Sequence, residues 1–182
     1  MSLRPKLFVG IELDDAVRSA CASIAQRLNA RGLVARYERP EKLHVTLAFL
    51  GWVDPEMVAP ITSAMESVAR SQHGFTLRLD RLGAFPHERK PRVVWVGSNE
   101  QGKGFRDIAH ALREAYEELG FPFDKDAVAH VTIARVKEPR RPLPTLDAVE
   151  PVEQRVDTLA LFDSIPDKGT TRYEVRKRAS LR

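Results

Sequence analysis

The residue types best suited to acid–base chemistry occur in one short pattern that the chain carries twice. Segments 44–48 (HVTLA) and 130–134 (HVTIA) are identical at four of five positions, and the fifth exchanges Leu for Ile. Each copy begins with His and places Thr two residues later. Imidazole titrates at about 6.5, so two such groups can share the roles of acid and base at neutral pH. Because predicted helix and strand material precedes each copy, the repetition indicates a weak internal duplication.

Strand periodicity predicts where the side chains of the first copy point. Successive side chains of a β-strand alternate between its two faces. His44 and Thr46 therefore share one face, whereas Val45, Leu47 and Phe49 are expected to point into the core. The first copy would then present one imidazole and one hydroxyl group to the same surface.

The second copy presents His130 and Thr132 in the same way. If the two strands lie side by side, four polar groups converge on one cleft. This set suits in-line attack at phosphorus, in which a base deprotonates the attacking oxygen, an acid protonates the leaving oxygen and hydroxyls bind the non-bridging oxygens. A 2′,3′-cyclic phosphodiester is a fitting substrate because its ring is strained. Such chemistry requires no cysteine or serine nucleophile, no metal and no other cofactor.

The remaining patterns predict the elements that position these residues. Strands are expected at about 7–13, 34–37, 43–50, 75–82, 93–96, 129–136, 156–162 and 173–178, and helices at about 14–30, 54–68 and 105–119. A proline-rich loop is expected between the strands at 129–136 and 156–162. This order indicates an α/β or α+β layered fold. No linker divides the sequence, which predicts a single domain over residues 1–182.

Composition limits the class of protein. The chain has 182 residues, of which 43% are hydrophobic and 30% charged, and this excludes a mostly disordered protein. A net charge of +4 is compatible with a phosphate-bearing partner. Cys21 is the single cysteine, which excludes an intramolecular disulfide and favours a reducing compartment. No apolar run approaches the roughly 20 residues that span a bilayer, so we expect a cytoplasmic protein without a membrane partner.

The two motifs and several further segments resemble the two-histidine phosphoesterase superfamily. The chain is most similar to its RNA 2′,3′-cyclic phosphodiesterases, historically called 2′-5′ RNA ligases. The matching segments are 7–13 (LFVGIEL), 44–51 (HVTLAFLG), 83–86 (GAFP), 91–95 (PRVVW), 130–135 (HVTIAR) and 161–164 (LFDS), followed by Gly169 and Tyr173. The resemblance therefore covers nearly the whole chain.

This resemblance implies an α+β fold of two pseudo-symmetric lobes, each an antiparallel sheet with outer helices, facing across a central cleft. The implied activity is metal-independent hydrolysis of RNA 2′,3′-cyclic phosphate ends to 2′-phosphates, with reversible 2′-5′ ligation. His44 would protonate the leaving 3′ oxygen, and His130 would activate water. Thr46, Thr132 and Arg135 would hold the phosphate. The partner would be such an RNA end or a small nucleotide, and we expect a monomer.

Arg135 requires a local irregularity to take this role. It is an odd number of residues from His130, so a regular strand would point its side chain away from the cleft. A β-bulge or the end of the strand must redirect it.

The residues also permit other interpretations. His44 and His130 could be core histidines, each bonded to its neighbouring Thr. A metal site would need a third protein ligand, and neither motif has an adjacent carboxylate at ligand spacing. A noncatalytic module that binds RNA ends or nucleotides, or a phosphodiesterase acting on a small cyclic nucleotide, would use the same scaffold.

Four aromatic residues are candidates for stacking on a base: Phe8, Phe49, Trp52 and Trp95. Phe49 and Trp95 lie in apolar strands, which favours a core position. Trp52 follows Gly51 in a predicted loop, where an exposed ring is compatible with the pattern.

Overall fold

The computed structural model describes residues 4–138, 141–167 and 169–182. Its strands are Lys6–Glu12 (β1), Arg36–Tyr37 (β2), His44–Trp52 (β3), Phe75–Leu79 (β4), Arg81–Phe85 (β5), Val93–Gly97 (β6), His130–Arg135 (β7), Val152–Val156 (β8), Thr158–Asp167 (β9) and Thr170–Ser180 (β10). Its α-helices are Asp15–Ala30 (α1), Val58–Ser71 (α2) and Lys103–Glu118 (α3). Short 3₁₀ turns at Pro40–Lys42 and Pro55–Met57 precede β3 and α2.

The two motif strands, β3 and β7, lie side by side in one antiparallel sheet. Within the described residues, this sheet has the order β10-β9-β1-β3-β7-β6-β5, with β2 also paired to β7. β3 and β7 pair antiparallel at Val45 and Val131, and this contact joins the β10-β9-β1-β3 half to the β7-β6-β5 half. β4 and β8 form a separate ladder. The predicted α+β class with antiparallel sheets is confirmed, and the two lobes meet at the motif strands.

Helices of each half pack against the motif strand of the other half. α1 follows β1 but contacts β7, and α3 precedes β7 but contacts β3. α2 contacts β9, β10 and α3. The burial of α3 illustrates the packing, since Phe105, Ile108, Leu112 and Tyr116 recur at three- and four-residue steps along one side. The apolar core therefore forms where the helices cover the sheet, and the motif residues with polar side chains lie on the other face.

Two of the predicted elements are wrong in detail. The strand predicted at 75–82 is interrupted at Asp80, so β4 and β5 belong to different sheets. Asp80 Oδ1 accepts a hydrogen bond from the Asn99 backbone N–H at 2.9 Å, which holds the chain at this break. The end of the predicted proline-rich loop forms β8, which pairs with β4. Gln154 and Val156 are buried two residues apart in this strand, but the many prolines before it favour a loop in the sequence.

No helix in the described ranges is both long enough and apolar enough to cross a membrane.

Candidate active site

The four motif side chains converge as the sequence predicts. His44, Thr46, His130 and Thr132 all line one cavity of about 600 Å³. They meet because β3 and β7 pair at Val45–Val131, which places the residues flanking these two valines across from each other.

A backbone carbonyl two residues earlier orients each histidine ring. His44 Nδ1 lies 2.7 Å from the Lys42 carbonyl oxygen, and His130 Nδ1 lies 2.8 Å from the Val128 carbonyl oxygen. A carbonyl can only accept, so Nδ1 carries a proton and donates it in both rings. In each ring Nε2 is therefore the atom that can gain or lose a proton. If the histidines were only structural, each would be expected to bond to its neighbouring threonine. The Nδ1 atoms bond instead to backbone carbonyls.

Aromatic side chains enclose the ring of His44. Its centroid lies 4.8 Å from that of Phe8, 4.9 Å from that of Tyr173 and 5.9 Å from that of Phe162. Burial lowers the pKa of His44, and the hydrogen bond to Lys42 offsets part of this effect. The nearby His130 and Arg135 lower the pKa of His44 further, whereas Glu38 raises it.

His130 is enclosed differently. Phe85 meets it edge-on at a centroid distance of 5.2 Å, and Trp95 lies 6.2 Å away. Burial lowers the pKa of His130, the bond to the Val128 carbonyl opposes this effect, and the charge of Arg135 lowers the pKa further. Both imidazoles are therefore biased towards the neutral form while the cleft holds no anion.

The same β-bulge occurs in both motifs. In β1–β3, Gly10 pairs with Thr46 and Val9 pairs with Ala48, so Leu47 is the extra residue. In β6–β7, Trp95 pairs with Thr132 and Val94 pairs with Ala134, so Ile133 is the extra residue. The bulged residue and the small alanine that follows it are buried in each case, as the burial of Leu47, Ala48, Ile133 and Ala134 shows.

This bulge reverses the alternation for the residues that follow it. Arg135 thereby joins His130 and Thr132 in lining the cavity, which confirms that an irregularity redirects it. Phe49 occupies the equivalent position after the first motif and also lines the cavity. Its predicted core position is wrong, since 55% of Phe49 is exposed. The other strand tryptophan, Trp95, is buried as expected.

Glu38 orients Arg135, a contact that the sequence analysis missed. The Nε of Arg135 donates to Oε1 of Glu38 at 3.0 Å, and a guanidinium nitrogen of Arg36 lies 3.7 Å from the same oxygen. β2 makes this possible, because Arg36 pairs directly with Arg135 across β2–β7. The sequence predicts a strand at 34–37, but local periodicity does not show which strand it pairs with, so it gave no sign that Glu38 meets Arg135.

The charged side chains that line the cavity are mainly cationic. Among the residues that the structure describes, its charged side chains apart from the histidines are Lys6, Arg36, Glu38, Lys42 and Arg135. The β9–β10 hairpin adds hydroxyl groups, from Ser164, Thr170, Thr171 and Tyr173. Lys42 Nζ donates to Oγ1 of Thr170 at 2.6 Å, which ties β10 to the 3₁₀ turn that precedes β3. A polar cavity with excess positive charge suits a phosphate-bearing ligand.

The donor sets that bind metal ions combine several His, Cys, Asp or Glu side chains. Within residues 4–138, 141–167 and 169–182, no cluster of three or more His, Cys, Asp or Glu side chains could hold a metal ion.

The family comparison matches the two halves separately. The family described as LigT like Phosphoesterase matches residues 11–95 and again residues 96–173, with one motif in each match. The chain therefore belongs to the LigT-like phosphoesterase family, and the predicted relationship to two-histidine phosphoesterases is confirmed.

Curated relatives and solved structures agree with this assignment. A protein named RNA 2′,3′-cyclic phosphodiesterase from Archaeoglobus fulgidus is 39% identical over 72% of this chain and 73% of its own length. A protein of the same name from Thermus thermophilus is 33% identical over 97% of this chain and 90% of its own. A crystal structure of a phosphoesterase matches with a TM-score of 0.84 at 27% identity over 98% of both chains. The structure of E. coli LigT without ligand matches with a TM-score of 0.79 at 28% identity over 99% of both.

Proposed function

We propose that this protein hydrolyses RNA 2′,3′-cyclic phosphate ends to 2′-phosphates by an acid–base mechanism that uses His44 and His130. Its class is that of the RNA 2′,3′-cyclic phosphodiesterases, the name that the curated relatives share. The observation that carries the mechanism is the matched orientation of the two imidazoles. Each is fixed through Nδ1 to a backbone carbonyl and lines the same cavity.

His130 acts as the general base. Its Nε2 takes a proton from water as the water oxygen forms a bond to phosphorus. The charge of Arg135 lowers the pKa of His130 and so favours the neutral ring that can accept a proton. Arg135 also lowers the pKa of His44, so the distinction between the two rings rests on Glu38, which raises the pKa of His44.

His44 acts as the general acid. Its Nε2 gives a proton to the 3′ oxygen as the bond from phosphorus to that oxygen breaks, which leaves a 2′-phosphate. Glu38 supports this role, because its negative charge raises the pKa of His44. The anionic substrate acts in the same direction, since a phosphate charge beside a buried imidazole stabilises the protonated ring.

Thr46, Thr132 and Arg135 hold the phosphate. The hydroxyl groups donate to non-bridging oxygens without adding charge, and the guanidinium group supplies directed charged hydrogen bonds. Preorganised donors of this kind stabilise the charge that develops at phosphorus in the transition state. The excess of cations in the cavity supports this arrangement.

The same steps give 2′-5′ ligation of RNA ends when a 5′-hydroxyl group takes the place of water. His130 takes the proton of that hydroxyl as its oxygen bonds to phosphorus, and His44 protonates the departing 3′ oxygen, which leaves a 2′-5′ phosphodiester. In the reverse direction the 3′-hydroxyl attacks and the 5′ oxygen leaves, so the two histidines exchange roles by microscopic reversibility. Neither direction requires a metal in this mechanism, because the imidazoles move both protons.

The setting proposed for this activity is a single two-lobed domain over residues 1–182 that works as a monomer in the cytoplasm. The crosswise packing of α1 and α3 beneath the opposite motif strands supports one domain, because neither half completes its core alone. The one cysteine, Cys21, is buried and supports a reducing compartment.

A chemical assay tests the proposed function. The protein is incubated in EDTA with an oligonucleotide that ends in a 2′,3′-cyclic phosphate, and phosphorus NMR identifies the product. We expect a 2′-phosphate. A 3′-phosphate would reverse the assignment of the leaving oxygen. No product would contradict hydrolysis of RNA ends, and a parallel assay with cyclic mononucleotides would then distinguish a small-nucleotide enzyme from a binding module. E. coli LigT has been crystallised with 3′-AMP, which supports a nucleotide ligand in either case.

A further inference from the structure

Two exposed aromatic rings lie close together at the C-terminal end of β3. Among the described residues, Phe49 and Trp52 are the aromatic side chains with large exposed surfaces, at 55% and 60%. Lys6 Nζ lies 5.6 Å from the ring centroid of Phe49 and 5.8 Å from that of Trp52. We call these three residues the aromatic platform.

The platform continues the row of side chains that begins at the catalytic histidine. Across the β1–β3 ladder, the successive pairs are Glu12–His44, Gly10–Thr46, Phe8–Phe49 and Lys6–Trp52. Because the partners on β1 are two residues apart, all four pairs present their side chains to the same face. Register shifts in β3 at Leu47 and Leu50 keep Phe49 and Trp52 on this face despite their uneven spacing from His44.

The position of Trp52 separates it from the cavity. The partners of Thr46 and Trp52 on β1, Gly10 and Lys6, are four residues apart, so the two side chains are about 14 Å apart along the strand. Phe49 lines the cavity, whereas Trp52 lies outside it. A nucleotide whose phosphate sits between Thr46 and Thr132 would therefore not reach Trp52, but the next part of an RNA strand would.

From these observations we propose that the aromatic platform is a stacking site for an unpaired RNA base on the strand that leads to the cyclic phosphate end. This inference rests on the proposed function. Single-stranded nucleic acids are bound by aromatic faces beside cations, with stacking that tolerates any base. Lys6 supplies the cation, and the nearest acidic group in sequence, Asp54, is neutralised by Arg4 at 2.6 Å. Continuity with a cationic phosphate cleft favours RNA over a protein partner.

The first test compares substrates of different length. kcat/KM is measured for a 2′,3′-cyclic mononucleotide and for a single-stranded trinucleotide that ends in a 2′,3′-cyclic phosphate. Trp52→Ala should lower the value for the trinucleotide roughly tenfold, the effect of one lost base stack, and leave the mononucleotide within about twofold. Trp52→Phe should retain most of the trinucleotide activity, because it keeps an aromatic face. Equal effects of Trp52→Ala on both substrates would overturn the proposal.

A matched control variant is Val34→Ala, which truncates an apolar side chain that is 88% exposed on another surface. It should change neither substrate. A selective loss of trinucleotide activity in Val34→Ala would place the strand on that surface instead and overturn the platform.

A binding measurement keeps the platform distinguishable from the proposed catalysis. The chain has two tryptophans, and the ring of Trp95 lies 6.2 Å from that of His130, so the fluorescence of Trp52 is isolated by subtracting the signal of the Trp52→Phe protein, and affinities are measured separately by calorimetry. A single-stranded trinucleotide with a 2′-phosphate end should quench this fluorescence, and Trp52→Ala should weaken binding as it weakens turnover. Quenching without turnover of any cyclic substrate would sink the proposed function and leave the platform standing. Unchanged fluorescence, or binding equal in both proteins, would contradict the platform and favour a protein contact there.

Discussion

The two halves of the candidate active site share a backbone design but differ in the side chains placed on it. Each motif strand carries His and Thr on the cleft face and then a bulge, after which one more side chain enters the cleft. That last side chain is Phe49 in the first half and Arg135 in the second. The duplication therefore supplies two equal positions for imidazoles, and the neighbours make those positions chemically unequal.

The strands beside the motifs show the same division. Thr46 lies opposite Gly10, and Thr132 lies opposite Trp95. An added Cβ at Gly10 would lie 2.5 Å from the Val45 carbonyl oxygen, so no larger residue fits without movement. The two motifs are alike, so the asymmetry of the site comes from the neighbouring strands, which place Gly10 beside one threonine and Trp95 beside the other. A mechanism with one acid and one base requires such an asymmetry.

The largest expected effect comes from removing either imidazole. His44→Ala and His130→Ala should each lower kcat by about 10²- to 10⁴-fold, the usual contribution of a general acid or base. The double variant should be little worse than either single one, because both groups serve one transition state. Single-turnover rates on a cyclic-phosphate oligonucleotide measure this. Near-normal turnover in either single variant is incompatible with a paired mechanism.

Replacing Gly10 tests the packing beside the first motif. Gly10→Ala should lower the free energy of unfolding by about 1–3 kcal/mol, because the new methyl group meets a backbone carbonyl that cannot rotate away. Gly102→Ala is the matched control, since an added Cβ there meets no atom within 4 Å. Denaturant titration compares the two. Equal stabilities would show that β1 and β3 can separate without cost.

Arg135, which follows the bulge in the second motif, is expected to contribute less to kcat/KM than the histidines. Arg135→Lys should lower kcat/KM roughly tenfold, because an ammonium group keeps the charge but loses the directed pair of hydrogen bonds. An Arg135→Lys protein with unchanged kcat/KM would show that Arg135 acts through its charge alone.

A smaller effect is expected from Glu38, which acts through its neighbours. Glu38→Gln should lower kcat/KM roughly threefold, because the orienting bond to Arg135 loses its charge. It should also move the alkaline limb of the pH profile to lower pH, since Glu38 raises the pKa of His44. A loss of activity without that movement would indicate that Glu38 only supports the fold.

The sequence could predict the motif residues because strand periodicity and the repeat both point to them. His44, Thr46, His130 and Thr132 meet as predicted, and the odd spacing of Arg135 correctly required a bulge. Phe49 was misplaced because a regular strand would point it into the core, whereas the bulge at Leu47 turns it towards the cleft. The contact between Glu38 and Arg135 depends on the pairing of β2 with β7, which joins distant segments and leaves no local pattern in the sequence. The break between β4 and β5 depends likewise on a long-range bond to Asp80.

The unequal roles of the two histidines are tested most directly by pH–rate profiles of kcat/KM. The profiles are measured for the wild type and for the residual activities of His44→Ala and His130→Ala. A base must be neutral and an acid must be protonated, so activity should fall at low pH through His130 and at high pH through His44. Burial lowers the pKa of both rings, which places the wild-type optimum on the acidic side of about 6.5 in the free enzyme.

We predict that His130→Ala removes the acidic limb and that His44→Ala removes the alkaline limb. If the two variants lose the opposite limbs, the assignment of acid and base is reversed. If a bell-shaped profile persists in both, the two histidines are not the acid and base of this reaction.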